Sequence, residues 1–406
     1  MPNPPPSEFP DHGTPHDETR VVQAGRHPEQ FGGAVNPPVF HASTVLSPTL
    51  EDWERKKRDR LADVPGLYYG RFGTPTLQSL EEALAELEGG DRCVVYPSGL
   101  AACAGALQAF LATGDHVLMT DSAYGPTRSL AHRLLKRFGV ETTFYDPLIG
   151  AGIASLMRPN TRVVYVESPG SITFEVQDIP AIAEVAHGHG ALVLMDNTWG
   201  TPLHFKSFAH GVDVSIQAAT KYVVGHSDAM LGTITCTKAT WPQVRAHTYD
   251  TGQTAGPDDV YLAQRGLRTM AVRLKRHWET GLSLAEWVVR QPEVERVMHP
   301  ALPGDPGYAL WKRDFRGACG LFGVVLKEGV PGRALAALLD GLELYGIGAS
   351  WGGYESLVMP IQPAAVRTAT VWPHAGPAFR IHAGLENGDD LRCDLEAGFD
   401  RLRAAL

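Results

Sequence analysis

The chain has 406 residues, 44% of them hydrophobic and 20% charged, with a formal net charge of −9. That balance fits two globular domains, or three, and the acidic excess argues against the basic face that a nucleic-acid partner needs. Five scattered cysteines (Cys93, Cys103, Cys236, Cys319, Cys393) form no C-x-x-C pair, so reduced thiols in a cytoplasmic protein are expected rather than disulfides or a structural zinc site; no metal is expected.

Residues 1–20 read as a proline-rich disordered tail with neither the basic nor the apolar region of a signal peptide. Residues 21–65 carry few periodic signals and read as an N-terminal arm, with the charged run EDWERKKRDR as a solvated helical face. From residue 66 the pattern sharpens. In TPTLQSLEEALAELEGG, Thr74 is the expected N-cap, Pro75 opens a helix, Leu77, Leu80, Leu84 and Leu87 share one face, and Gly89-Gly90 stops it. The uncharged run 93–114 is split by Pro97-Ser98-Gly99 into a strand and a helix too short to span a bilayer. The apolar runs CVVY, HVLMT, TRVVYVES, ALVLMD and VDVSIQA then alternate with helical stretches at 99–112, 126–138 and 180–188. This alternation predicts an α/β fold, a mostly parallel sheet with helices on both faces, over a large domain 66–255. The stretch 261–289 reads as helix with five basic residues from Arg265 to Arg276, expected on a solvated face. GLFGVVLK, RALAALLDGL and FRIHAGLE then give a smaller C-terminal α/β domain, 256–406.

Ligands of open α/β sheets gather at the carboxyl ends of the strands. Those ends here are Tyr96-Pro97-Ser98-Gly99, Glu167-Ser168, Asp196-Asn197 and Thr220-Lys221. Lys221 alone reads as a surface cation, a phosphate clamp or an amine nucleophile. Asp196 ends an apolar strand, where a carboxylate is either paired or caps a helix. Together, a lysine, an isolated acid and a helix start at Ser98-Gly99-Leu100 are the parts that pyridoxal 5'-phosphate (PLP) requires.

DVSIQAATKYVVGHSD resembles the lysine motif of the Cys/Met-metabolism PLP enzymes, a branch of the fold-type I, aspartate aminotransferase-like proteins. YYGRFGTPT, LEGGDRCVVYPSG, GDHVLMTDSAYGPT, VESPGSITFEVQDI, MDNTWGTP, RGLRTM, SWGGYESL and FRIHAGLE extend the likeness over nearly the whole chain from about residue 20. SPGSITFEVQD and SWGGYES look most like the bacterial cystathionine β-lyase branch. The resemblance implies a seven-stranded sheet, and α,β-elimination from an amino-acid thioether, with γ-elimination or γ-replacement on the same scaffold as the alternative. It implies Lys221 as Schiff-base lysine and proton shuttle, and Asp196 as partner of the pyridine nitrogen. Tyr124 would stack on the cofactor and take part in catalysis. Gly99, Leu100 and Thr220 would contact the phosphate, and Ser171 stands where many relatives have a cofactor-side Asn. Tyr69 and Arg71 would reach the cofactor of a neighbouring subunit, which makes a homodimer the smallest active unit and a tetramer the expected assembly. Arg380 would clamp the substrate α-carboxylate, and Ser350 and Trp351 would line the substrate pocket. Ala218 and Ala349 depart from the family pattern: many relatives have Ser at the first position and some β-lyases have Tyr at the second.

Overall fold

The structure is a computed structural model, and it describes residues 15–406. Residues 1–14 of the expected tail lie outside the described residues, and the tail does not extend to residue 20. Asp17–Gln23 is a helix. Val21 is buried, and Asp17 pairs with Arg20, Lys206 and Arg316, so this turn is packed onto the body.

Seven strands build the larger sheet: β1 Arg92–Tyr96, β2 His116–Thr120, β3 Glu141–Tyr145, β4 Thr161–Glu167, β5 Leu192–Asp196, β6 Val214–Gln217 and β7 Gly232–Cys236. Their order is β1-β7-β6-β5-β4-β2-β3. Only β7 runs antiparallel to its neighbours. Strands such as β2, buried at every residue, explain the continuous apolar runs. The sequence reading missed β3 and β7. Both are rich in Thr, and β3 is an edge strand left half exposed, so neither carries the apolar run that marks a central strand. The Gly99–Phe110 helix packs on one face, while the Pro75–Glu88 and Ile179–Gly188 helices bury their apolar sides on the other. Leu80, Leu84 and Leu87 are fully buried as their spacing predicts, but the Thr74 side chain makes no capping hydrogen bond.

The second sheet holds β8 Val294–Met298, β9 Leu321–Leu326, β10 Tyr345–Ile347, β11 Ser356–Ile361 and β12 Ala378–His382, in the order β10-β11-β12-β9-β8. Three helices, Trp241–Asp250, Pro257–Arg268 and Met270–Val288, lie between the two sheets in the chain. Here the solvated-face expectation fails for three of the five basic residues. Arg268 donates to the Val21 and Ala24 carbonyls, Arg273 to those of Tyr222 and Gly266, and Arg276 to that of Glu386. A planar five-donor fork suits carbonyls that helix ends and turns leave unpaired. Arg265 and Lys275 do face solvent. The EDWERKKRDR segment lies in the exposed Leu50–Leu61 helix, which has no buried residue. Among the described residues no helix is long and apolar enough to cross a membrane.

Candidate active site

A cavity of about 340 Å³ opens at the carboxyl ends of β4, β5 and β6. The large sheet contributes Glu167, Asp196 and Lys221, and the Gly99–Phe110 helix points its N-terminus at them. Tyr124 enters from the turn after β2. Arg380, Ala349 and Trp351 close the cavity from the side of the second sheet. The register of β4 against β5 sets Glu167 directly beside Asp196. A parallel sheet brings strand ends to one edge whatever their separation in sequence, and this places acid, amine and guanidinium together.

Lys221 Nζ donates to Ser350 Oγ at 2.7 Å and stands 5.5 Å from the Trp351 ring centre. Burial, and then the nearby Arg380 cation, push its pKa down to about 8. In cofactor-free protein, acylation of Lys221 by a small anhydride should therefore rise with pH through a midpoint near 8, read by peptide mass spectrometry. A midpoint near the ordinary lysine value of 10.5 would contradict the buried placement.

Asp196 is not a helix cap. Its Oδ1 accepts from Thr198 Oγ1 at 2.5 Å and from Thr198 N at 3.1 Å, and Cys103 Sγ lies 3.7 Å from Oδ2. Burial raises its pKa against these donors. Thr198 Oγ1 also accepts from Ala218 N at 2.8 Å, tying the acid to the turn that carries Lys221. Burial, and then Asp196, drive the Glu167 carboxyl well above the usual carboxylate range, and Glu167 Oε2 accepts the Tyr124 backbone N–H at 2.7 Å. Glu167, Thr198 and Cys103 were not singled out from the sequence. Glu167 was visible as a strand end, and Thr198 stands two residues after an acid as turn chemistry prefers. Cys103, one helical turn after Gly99, carries no signal.

At the helix start, Ser98 Oγ accepts from Ala101 N at 3.2 Å and the Ser98 carbonyl from Ala102 N at 3.0 Å. The N–H groups of Gly99 and Leu100 have no intrahelical acceptor and are available to an anion. A Cβ on Gly99 would sit 2.5 Å from Ala218 Cβ, so this helix start can approach the lysine turn only because residue 99 is glycine. Thr220 lines the cavity, but its hydroxyl donates to the Leu231 carbonyl at 3.1 Å and accepts from Leu231 N at 2.8 Å. Its proton is thus committed to the backbone and must leave Leu231 before it serves a phosphate. Ser171 lines the opposite wall, its N–H bound to the Ser122 carbonyl.

Arg380 is buried and donates to the Ser350 carbonyl at 3.1 Å. Burial lowers its pKa only to about 10, so it stays a cation. Ser350 therefore holds both Lys221 and Arg380, one through its hydroxyl and the other through its carbonyl. The half-exposed Tyr124 phenol is raised by burial and remains protonated near neutral pH. Tyr69 and Arg71 do not line this cavity. They lie in a separate groove with His41 and Pro257, where Arg71 donates to the Tyr249 carbonyl at 2.7 Å.

Residues 18–400 match the family of Cys/Met metabolism PLP-dependent enzymes. The chain is 47% identical over 390 residues to the cystathionine beta-lyase MetC of Escherichia coli, covering 95% of this chain and 98% of that one. It is 45% identical over 390 residues to the cystathionine beta-lyase of Salmonella typhimurium, with the same coverage. Among solved structures, metB from Corynebacterium glutamicum superposes with a TM-score of 0.87 at 28% identity, covering 96% of this chain and 99% of that one. The chain belongs to the Cys/Met metabolism PLP-dependent enzyme family.

Proposed function

We propose that this protein cleaves L-cystathionine by α,β-elimination, giving homocysteine, pyruvate and ammonia, a step of methionine biosynthesis. The single observation that carries the reading is the convergence in one cavity of a lysine with a depressed pKa, a buried carboxylate and a buried arginine. The near full-length likeness to cystathionine beta-lyases favours this reaction over a γ-elimination on the same scaffold.

Three features fit PLP. The helix start at Gly99 closes against the Ala218 turn only while residue 99 lacks a Cβ, Asp196 is a buried acid whose Oδ2 meets a weak thiol donor at 3.7 Å, and the Lys221 amine is largely neutral above about pH 8. When bound, PLP supplies an aldehyde for the lysine amine and an electron sink for the carbanion at the substrate Cα. Gly99 and Leu100 would hold the phosphate through their N–H groups, and Asp196 the ring nitrogen as a cation. The Tyr124 ring and Ser171 would bound the cofactor.

Arg380 orients the substrate by a two-pronged hold on its α-carboxylate, with Trp351 lining the wall beside it and Ser350 bonded to both Arg380 and Lys221. The Lys221 amine, free of Ser350, removes the Cα proton. The C–S bond then breaks, and Lys221 returns a proton to the departing homocysteine sulfur. Water hydrolyses the remaining enamine to pyruvate and ammonia. Tyr124 keeps its phenolic proton in this scheme, so it acts as a wall and a hydrogen-bond donor rather than as a base.

Tyr69 and Arg71 lie outside their own cavity, which supports their use at a second subunit's cofactor and a dimer as the smallest active unit, with a tetramer as the expected assembly. Four buried, unpaired cysteines support a cytoplasmic setting. The test is product analysis with L-cystathionine on the cofactor-loaded protein. Pyruvate and homocysteine in equal amounts are expected, whereas 2-oxobutyrate and cysteine would move the assignment to γ-cleavage.

A further inference from the structure

The Asp121 carboxylate lies just after β2 and has no exposed side-chain surface. It accepts from six donors. Arg128 Nη1 approaches at 2.8 Å, Thr368 N at 3.0 Å, Ala369 N at 3.0 Å and Thr370 N at 3.1 Å, and the hydroxyls of Thr368 and Thr370 at 2.8 and 3.2 Å. Five of the six come from one short segment, 368–370, in the connection between β11 and β12. Arg128 also donates to Thr368 Oγ1 at 2.9 Å and stacks 4.0 Å over the Phe144 ring, so the cation is itself fixed. The next residue back, Arg367, is buried and binds Glu175 and, at 2.7 Å, Thr173 Oγ1.

The placement of these contacts matters. Asp121 stands three residues before Tyr124, and Glu175 follows the Ser171-Ile172 turn; both turns are walls of the cavity. Segment 367–370 leads, ten residues on, to Arg380 on β12. One short strap from the second sheet is therefore fastened to both walls that the large sheet supplies. A buried carboxylate is stable only when fully satisfied, so the strap has a single well-defined seat.

We propose that Asp121 is a positioning residue for the substrate site: by seating segment 367–370 against the Tyr124 turn it sets the spacing between Arg380 and the Lys221 side of the cavity. The inference rests on the reading of Arg380 as the carboxylate clamp. Misaligning a charged clamp weakens its hold on a carboxylate by about 10- to 100-fold, so a loosened strap should appear in substrate affinity. Asp121→Asn keeps the size but turns a donor toward N–H groups that need an acceptor.

Three readouts on the holoenzyme test this. Hydrogen exchange of the 368–370 amides should accelerate in D121N. The KM for cystathionine, and the affinity for an unreactive amino acid read from cofactor absorbance, should weaken by about 10- to 100-fold, with kcat changed by less than about threefold. The double variant Thr368→Ala, Thr370→Val keeps the ion pair and the backbone bonds; a smaller shift in the same direction is expected, and it covers the case in which D121N does not fold. Unchanged amide exchange, or faster exchange with unchanged affinity and only a lower melting temperature, overturns the proposal. Should the wild type bind amino acids without cleaving cystathionine, the exchange and affinity arms still decide the role of Asp121, and only the reaction assignment falls.

Discussion

Lys221→Ala is expected to abolish turnover, with kcat lower by about 10⁴-fold or more, because on the proposed scheme one side chain serves as covalent anchor, base and acid. The purified variant should also lose the visible absorbance that covalent attachment gives, while Gly99 and Asp196 still retain some cofactor by contact. The size of the effect follows from geometry. Besides Lys221, the cavity is lined by the Arg380 guanidinium, the raised Tyr124 phenol and two carboxyls held high by burial, none of which is a free amine at neutral pH. Pyruvate release by the variant at the wild-type rate would end the assignment of Lys221.

The second large effect is expected at Asp196. Asp196→Asn is isosteric, so Thr198 and Cys103 keep a neighbour, but the charge that would hold the ring nitrogen as a cation is gone. Loss of about 10²- to 10⁴-fold in kcat is expected, a span typical of removing a charge-stabilising group from a desolvated site. Cofactor content, measured after denaturation, separates a failure to bind from a failure to react. A fully loaded variant with wild-type kcat would show that Asp196 has no electronic role. Glu167, beside it in the register, is the reason for choosing Asn over Ala: a void next to a second buried carboxyl would let water in and mix two effects.

The legible part of this protein was what repeats along the chain. Strand ends such as Asp196 and Thr220-Lys221 could be found because each follows a buried apolar run, and a parallel sheet then dictates that they meet. The helix from Pro75 was readable from its leucine spacing. What escaped depends on contacts between distant segments. Tyr124 and Arg380 had no local signature, and only likeness to a family raised them above a core aromatic and a structural ion pair. Arg268 and Arg273 looked like surface cations because nothing in a helical pattern reveals that a carbonyl from Val21 or Tyr222 will sit against them. Asp121 was unremarkable in TDSAYG, since the strap it binds begins 247 residues away. The Thr220 hydroxyl's bond to the backbone was hidden for a similar reason: its partner, Leu231, belongs to the segment leading into β7, a strand too polar to be noticed.

The double use of Ser350 has a consequence for timing. Its hydroxyl holds the Lys221 amine and its carbonyl holds the Arg380 guanidinium, at 2.7 and 3.1 Å. A carboxylate arriving at Arg380 competes with that carbonyl, and any shift of residue 350 is felt at once by the amine on its other side. On the proposed scheme, capture and activation are then not independent events that can occur in either order. A ligand lacking the carboxylate leaves the Arg380–Ser350 contact in place, so nothing is passed from the guanidinium to the hydroxyl beside Lys221.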